Sequence, residues 1–191
     1  MKKLSLLLTA VLLTVGLTGC GGGKTQSIGA KSEGEKVKKE IVVGASPSPH
    51  KEILEKAGEI LKKEGYDLKI VEFTDYQLPN TALAEKQLDA NFFQHVPFLK
   101  KTIEEKKLDL DYTVKVHIEP MGLYSKKIKD IKELKDGAEI AIPNDPTNGG
   151  RALKVLESAG LIKLKDGELL TKLDITENKK GLKITEIDAP Q

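Results

Sequence analysis

The chain has 191 residues, of which 31% are charged and 4% aromatic, and its formal net charge at pH 7 is +2. Lysines alternate with glutamates, and no basic block with interleaved aromatic residues occurs, so the composition argues against a nucleic-acid-binding protein. The only cysteine is Cys20, which excludes an intrachain disulfide. From Glu40 onwards, about 150 residues remain, enough for one domain or two small lobes.

The N-terminus has the pattern of an export signal. Lys2 and Lys3 form a basic start, and an apolar stretch follows from Leu4 to Leu17. This stretch is shorter than the ~20 apolar residues that a comfortable membrane-spanning helix needs. We therefore interpret it as a targeting segment rather than a membrane span.

The signal ends in Leu17-Thr18-Gly19-Cys20, which resembles the lipobox of bacterial lipoproteins, where the peptide is cut before an acylated cysteine. We predict a lipoprotein signal peptide over residues 1–19 and lipidation of Cys20. The alternative is an ordinary secreted protein with a stray thiol. Residues 20–39 are rich in Gly, Ser, Lys and Glu, and we predict that they form a flexible tether.

The first part of the folded chain has the pattern of a strand, a helix and a strand. Glu40–Gly44 is predicted to be a buried strand, and Ser48 suits the N-cap of the helix that follows. Apolar residues from Ile53 to Leu61 fall on one helical face, and Gly65 ends the helix. Leu68–Phe73 is the second strand, so this unit predicts a parallel sheet.

Further along, a short helix, a longer helix and a third strand are predicted. Asn80 is expected to cap the short helix, which runs through Gln87. The longer helix is expected from about Pro97 to Lys107. Alternating residues predict a strand from Tyr112 to Ile118, with His117 on its more polar side as a surface residue.

Beyond Pro120 the strand and helix pattern starts again. The expected elements are extended chain at Gly122–Ser125, a helix around Asp130–Leu134, a strand at Ala138–Ile142, a helix from about Asn148 to Ala159 and a strand at Leu182–Ile187. We predict an α/β protein with a first lobe at residues 40–118 and a second lobe at residues 119–191.

Arg151 is the only arginine among 31 basic residues. A planar, always charged guanidinium with two donors suits the grip of a carboxylate; the alternative is a lysine-rich composition with one arbitrary arginine. Asn148 lies three residues earlier, on a neighbouring face of the first helical turn, where free backbone N–H groups also favour an anion. Gly149 and Gly150 are expected to let a ligand approach the backbone closely.

Two groups of aromatic residues are expected to follow the ends of strands, where open α/β sheets place ligands. Tyr76 and the run from Asn91 to His95 are therefore candidates for a binding site, whereas Phe73 and Phe98 are expected in the core. An aromatic wall beside a histidine suits an apolar side chain with a polar end. A flexible thioether fits such a wall well, because sulfur makes favourable contacts with ring edges.

The sequence lacks the motifs of a catalytic or metal centre. His95 is left open as a metal ligand, a base or a hydrogen-bond donor. No His-Glu-x-x-His spacing or sulfur-rich cluster occurs, so we expect neither a metal nor another cofactor. Without a Gly-x-Ser-x-Gly motif, a phosphate-binding loop or a convincing carboxylate pair, we do not expect an enzyme.

Together, five motifs resemble those of the methionine-binding lipoprotein family (NlpA/MetQ type). They are Leu17–Cys20, Val43–His50, Phe73–Tyr76, Asn91–His95 and Pro143–Arg151. The likeness runs from the lipobox to the last residue. It implies a periplasmic-binding-protein-like (type II) fold with two lobes that close on an amino acid, methionine in its L or D form, and deliver it to an ABC importer.

The resemblance also implies roles for individual residues. Tyr76, Phe93 and His95 would line the side-chain pocket from the first lobe. Asn148 and Arg151 would hold the ligand backbone from the second lobe, with Arg151 on the carboxylate. The implied partners are the permease and ATPase subunits of the importer, and the implied location is the extracytoplasmic side of the cell membrane, through the lipid anchor.

The C-terminus departs from the family pattern. Members of the family run on past the equivalent of Gln191, and that further chain completes the second lobe and returns to the first. We therefore expect a second lobe and return segment that are incomplete. The alternative function is a truncated, non-binding surface lipoprotein remnant of the same family.

Overall fold

A computed structural model describes residues 39–189, and its first half is built on a parallel sheet of three strands. The strands are Lys39–Ala45 (β1), Tyr66–Glu72 (β2) and Ala90–Phe92 (β3), and their order in the sheet is β2-β1-β3. The helices are Glu52–Lys63 (α1), Leu78–Ala84 (α2) and Val96–Lys106 (α3). A π-helical turn, Pro47–Lys51, leads into α1.

The second half contains a parallel pair and an antiparallel pair of strands. Its elements are Glu139–Pro143 (β4), Pro146–Ser158 (α4), Lys163–Leu164 (β5), Ile175–Glu177 (β6) and Lys183–Ile187 (β7). β4 pairs in parallel with β7, and β5 pairs antiparallel with β6. Two 3-10 turns, Ile131–Glu133 and Lys172–Asp174, complete this half.

The apolar face of α4 packs against β4 to form the main core of the second half. Leu153 and Leu156 on α4 are almost fully buried, at 0% and 1% exposure. They pack with Ile140 and Ile142, which point to the same face of β4 because they are two residues apart. This core holds the first turn of α4 next to the end of β4.

The predicted parallel unit at the start of the fold is confirmed. β1 and β2 are paired along their whole length, from Lys39 with Tyr66 to Ala45 with Glu72. The helix between them ends before Gly65, whose φ of +90° suits a residue without a side chain. α3, β4 and β7 also lie within two residues of their predicted bounds.

The predicted strand at Tyr112–Ile118 is wrong. The segment is irregular and exposed, with Val114 at 67% and Ile118 at 91% exposure. No strand in residues 39–189 pairs with it. The alternating pattern was present, but a strand also needs a neighbour to satisfy its backbone hydrogen bonds.

Both predicted helix caps are also wrong. Ser48 is extended and donates a side-chain hydrogen bond to Glu52 instead of capping α1 (Oγ–Oε1 2.7 Å). Asn80 lies inside α2 and is fully buried. The helix expected around Asp130–Leu134 is the short 3-10 turn, which Asp130 does cap.

The structure of residues 39–189 does not test the predicted lobe boundary, the signal peptide or the lipidation of Cys20. The boundary between lobes at residue 118 stays a prediction. The signal peptide and Cys20 lie outside the described residues. Within residues 39–189, no helix has the length and apolar character that crossing a membrane requires.

Candidate functional site

A pocket lies where the start of α3 approaches the start of α4. It is lined by Tyr76, Phe93, Gln94, His95, Phe98, Glu119, Asn148 and Arg151. About 330 Å³ of space in and around the pocket is free of protein atoms, and part of that space is open solvent. The pocket brings together the five binding residues predicted from the sequence.

One wall of the pocket consists of three aromatic rings in mutual contact. The ring centroids of Tyr76 and Phe93 are 5.9 Å apart, and that of Phe98 lies 6.0 Å from each. Phe93 and Phe98 are buried, at 6% and 7% exposure. Phe98 therefore belongs to the core, as expected, and also lines the pocket.

The loop that carries this wall is fixed by an amide network on α2. Asn80 exchanges two side-chain hydrogen bonds with Gln94, at 2.8 and 2.7 Å. Asn91 donates to Asn80 (Nδ2–Oδ1 2.9 Å) and to the carbonyl of Pro79. Because a buried amide is costly to leave unpaired, this network holds the chain after β3 in one position.

His95 joins the two sides of the pocket. Its Nδ1 accepts a hydrogen bond from the backbone N–H of Phe98 and so caps α3 (3.1 Å). In a neutral imidazole the proton is then on Nε2, which lies 2.8 Å from Oδ1 of Asn148 and donates to it. Of the roles left open by the sequence, the geometry fits a hydrogen-bond donor.

Asp145 organises the second wall, at the first turn of α4. Its carboxylate caps the helix by accepting from the backbone N–H of Asn148 (2.8 Å), and it also accepts from the Asn148 amide (3.0 Å) and the Thr147 hydroxyl (2.8 Å). The amide of Asn148 donates to Asp145, so its oxygen faces His95 and Arg151. Hydrogen bonds at both the nitrogen and the oxygen of the amide thereby fix the orientation of Asn148.

Arg151 is held in the pocket by neutral oxygens only. Its Nη1 donates to Oδ1 of Asn148, and its Nη2 donates to the backbone carbonyl of Glu119, both at 3.0 Å. Among residues 39–189, no carboxylate side chain forms an ion pair with it. A half-buried guanidinium without an anionic partner can bind the carboxylate of a ligand.

Gly149 and Gly150 do not face the ligand space. A Cβ on Gly149 would come within 2.9 Å of the carbonyl oxygen of Pro143, and one on Gly150 within 3.2 Å of the carbonyl oxygen of Leu170. The expectation that they let a ligand approach is therefore wrong. They let α4 pack against protein backbone, which fixes the position of its first turn.

The environment of Tyr76 keeps its phenol protonated. Burial raises the pKa of Tyr76 above its ordinary value of 10.0, and the negative charges of Glu119 and Asp145 raise it further. The neutral hydroxyl is a possible donor or acceptor for the polar end of a ligand. The ring itself contributes to the aromatic wall.

Sequence reasoning gave no individual role in the site to Asp145, Gln94 or Glu119, and it assigned Phe98, which also lines the pocket, to the core alone. Asp145 had a usable signal, because an Asp before Pro146 is typical of an N-cap followed by the first helical residue. Gln94 was inside the predicted aromatic run but was given no role. Glu119 lies in irregular chain, where no periodic pattern identifies it.

Comparison with known proteins identifies the family of this chain. The family model described as NlpA lipoprotein matches residues 41–191. The chain belongs to the NlpA lipoprotein family. It is 44% identical over 185 residues to the D-methionine-binding lipoprotein MetQ of Salmonella typhi, covering 95% of this chain and 64% of that relative.

Two solved structures have a fold similar to that of this chain. A nutrient-binding protein from Burkholderia cenocepacia bound to methionine has 44% identity and a TM-score of 0.75, over 78% of this chain and 64% of that one. An ABC transporter periplasmic substrate-binding protein from Coxiella burnetii has 45% identity and a TM-score of 0.74, over the same shares. The fold is therefore α/β and periplasmic-binding-protein-like, and the chain spans about two thirds of the length of these relatives.

Proposed function

We propose that this chain is a lipid-anchored receptor that captures methionine in the pocket between α3 and α4. The observation that carries the proposal is the guanidinium of Arg151, which faces the pocket without an ion-pair partner among residues 39–189. The carboxylate of an amino acid supplies the missing charge. The role is binding, without catalysis.

The side chain of methionine fits the opposite wall. The rings of Tyr76, Phe93 and Phe98 surround one side of the pocket with apolar surface and ring edges. A thioether is flexible and makes favourable contacts with ring edges of about 0.3–1.5 kcal/mol. A relative bound to methionine and relatives named for binding it support this choice of ligand.

The remaining parts of the proposal follow from the family. Acylation of Cys20 would anchor the protein on the extracytoplasmic side of the cell membrane. There it would deliver methionine to the permease and ATPase subunits of an ABC importer, in line with the relative named as an ABC transporter substrate-binding protein. Release would require that the two walls of the pocket separate.

Calorimetry with L- and D-methionine on the purified full chain tests the proposal. We expect heat of binding with at least one isomer. Methioninol, which has an alcohol in place of the carboxylate, should lose most of the affinity because it leaves Arg151 unpaired. Norleucine, which replaces the sulfur with a methylene, should lose only about 1 kcal/mol.

The outcomes separate the two functions that the sequence suggested. A folded sample that gives no heat with either isomer would support the non-binding remnant and contradict a methionine receptor. Methioninol that binds as tightly as methionine would contradict the role given to Arg151. Circular dichroism of the same samples establishes that each is folded.

A further inference from the structure

A second cluster of polar side chains adjoins the pocket and shares one member, Glu119, with its lining. It consists of His50, His117 and Glu119, whose potential ligand atoms all lie within 4.8 Å of one another. Oε1 of Glu119 is 2.9 Å from Nε2 of His117 and 3.4 Å from Nε2 of His50. The binding of methionine described above does not use either histidine.

His50 is held rigidly, with one ring nitrogen directed at the cluster. It is buried, and its Nδ1 is 2.6 Å from the hydroxyl of Ser46, which is also buried. The ring packs edge-on against Phe92, with centroids 4.6 Å apart. A histidine that ligates a metal through one nitrogen typically has its other nitrogen hydrogen-bonded in this way.

His117 and Glu119 can adjust to an ion. Both lie in the irregular segment after α3, and their side chains are 27% and 48% exposed. Zinc bonds of about 2.0–2.2 Å to nitrogen and oxygen place the ligand atoms of a tetrahedral site roughly 3.4 Å apart. The observed distances from Glu119 fall close to this spacing. A small movement of the exposed side chains therefore suffices to bring the ligand atoms into the geometry of a zinc site.

The charges of the cluster also suit a divalent cation. Burial lowers the pKa of His50, an effect that Glu119 opposes and His117 reinforces. A neutral imidazole is the form that binds a metal. Two imidazoles and one carboxylate are borderline ligands that favour zinc over calcium or magnesium, and three protein ligands leave a fourth position open.

We propose that His50, His117 and Glu119 form a binding site for a zinc ion. The sequence contains no metal-binding spacing because the ligands come from two distant segments, the turn Pro47–Lys51 and the chain after α3. The proposal does not rest on methionine binding, because neither histidine lines the pocket.

Zinc calorimetry on the full chain, purified without a histidine tag and freed of metal with a chelator, tests the proposal. We expect one zinc ion per chain. His117→Ala should weaken zinc binding by about a hundredfold or more, because loss of a direct ligand costs at least as much as the 10–100-fold of an outer partner. Glu119→Gln, which keeps the shape of the side chain, should also weaken it strongly.

Two variants serve as matched controls. His95→Ala removes the only histidine outside the cluster, and Cys20→Ser removes the only thiol. Both should leave the zinc affinity unchanged. His117 and Glu119 are exposed, so their substitution tests the site without disturbing the core.

Three results would overturn the proposal. They are a wild-type chain that takes up no zinc, zinc affinity that is unchanged in both His117→Ala and Glu119→Gln, and zinc binding that is lost in either control. A cobalt-substituted sample gives an independent readout, since four-coordinate cobalt has a visible spectrum that His117→Ala should abolish.

Discussion

The two walls of the pocket are built by different physical interactions. The aromatic wall is apolar, and Phe93 and Phe98 are buried by contacts with each other and with the core. The wall on α4 is polar: the amide of Asn148 donates a hydrogen bond to Asp145, and the guanidinium of Arg151 donates one to Asn148. The rings of the aromatic wall pack against each other and need no ligand, whereas the wall on α4 presents the positive charge of Arg151, which has no ion-pair partner in the described residues.

This difference predicts how stability and binding are divided between the walls. Burial of aromatic rings stabilises the fold whether or not a ligand is present. An unpaired guanidinium contributes little to folding, because it must be partly desolvated without an anion. Changes in the aromatic wall should therefore affect the free energy of unfolding, and changes at Arg151 should affect mainly the affinity for methionine.

The largest effect is expected from Phe98→Ala. Removing a buried phenylalanine should lower the free energy of unfolding by about 3–5 kcal/mol, through lost burial and the cavity that remains. Denaturant unfolding measures this change. Tyr124→Ala is the matched control, because Tyr124 is 87% exposed and its loss should have little effect. Equal stability of both variants would contradict the structural role of the aromatic wall.

Arg151→Ala should have the next largest effect, on binding. Loss of a hydrogen-bonded charge pair with the ligand carboxylate should cost about 3 kcal/mol, which is more than a hundredfold in affinity. Arg151→Lys should also bind weakly if the grip is bidentate. Calorimetry with methionine measures both.

Lys154 provides the control for Arg151, because it is an exposed cation on the same helix. Lys154→Ala should leave the affinity unchanged and thereby exclude a general effect of charge. The free energy of unfolding of Arg151→Ala should stay within about 0.5 kcal/mol of the wild type. An Arg151→Ala variant that is strongly destabilised would mean that the two walls do not differ as proposed.

Asp145→Ala should have a moderate effect on both the free energy of unfolding and the affinity for methionine. Loss of an N-cap costs about 0.5–2 kcal/mol of stability. It also releases the amide of Asn148, so methionine should bind more weakly. Asp145→Asn retains an oxygen for the cap and should recover most of the stability in denaturant unfolding. If Asp145→Ala proved as stable as the wild type, the cap would not hold the polar wall.

The sequence predicted those parts of the fold that are determined locally. The unit β1-α1-β2 follows from hydrophobic periodicity, and all its elements were found. The strand at Tyr112–Ile118 failed because its pattern says nothing about a pairing partner. Asn80 failed as a cap because its amide is satisfied by Gln94, fourteen residues further along the chain.

The same distinction applies to the site. Arg151 could be found because it is the only arginine in the sequence and because it lies near the start of a predicted helix. Tyr76 and His95 could be found because they follow strands. Glu119 could not be found, because its contacts with Arg151 and His117 depend on how irregular chain passes between distant elements. The contacts of that segment are a property of the tertiary structure.

The smallest effect is expected from Tyr76→Phe, and it depends on pH. Because the pKa of Tyr76 is raised in the folded state, the unfolded chain loses this proton first as pH rises. Tyr76 therefore contributes stability that is fully present below its ordinary pKa of 10.0 and is lost as pH rises through the folded value. Between the ordinary and the raised pKa of Tyr76, the free energy of unfolding should fall more steeply with pH in the wild type than in Tyr76→Phe.

Denaturant unfolding of both proteins at neutral pH and above pH 10 measures this difference. The comparison cancels the titration of the lysines, which both proteins share. Tyr66→Phe is a suitable control, because Tyr66 lies on β2, away from the pocket lining. Parallel pH profiles for the wild type and Tyr76→Phe would show that the phenol is not confined between the aromatic wall and the charges of Glu119 and Asp145. Diverging profiles would place Tyr76 at the boundary between the two walls, where an apolar ring meets the charged side of the pocket.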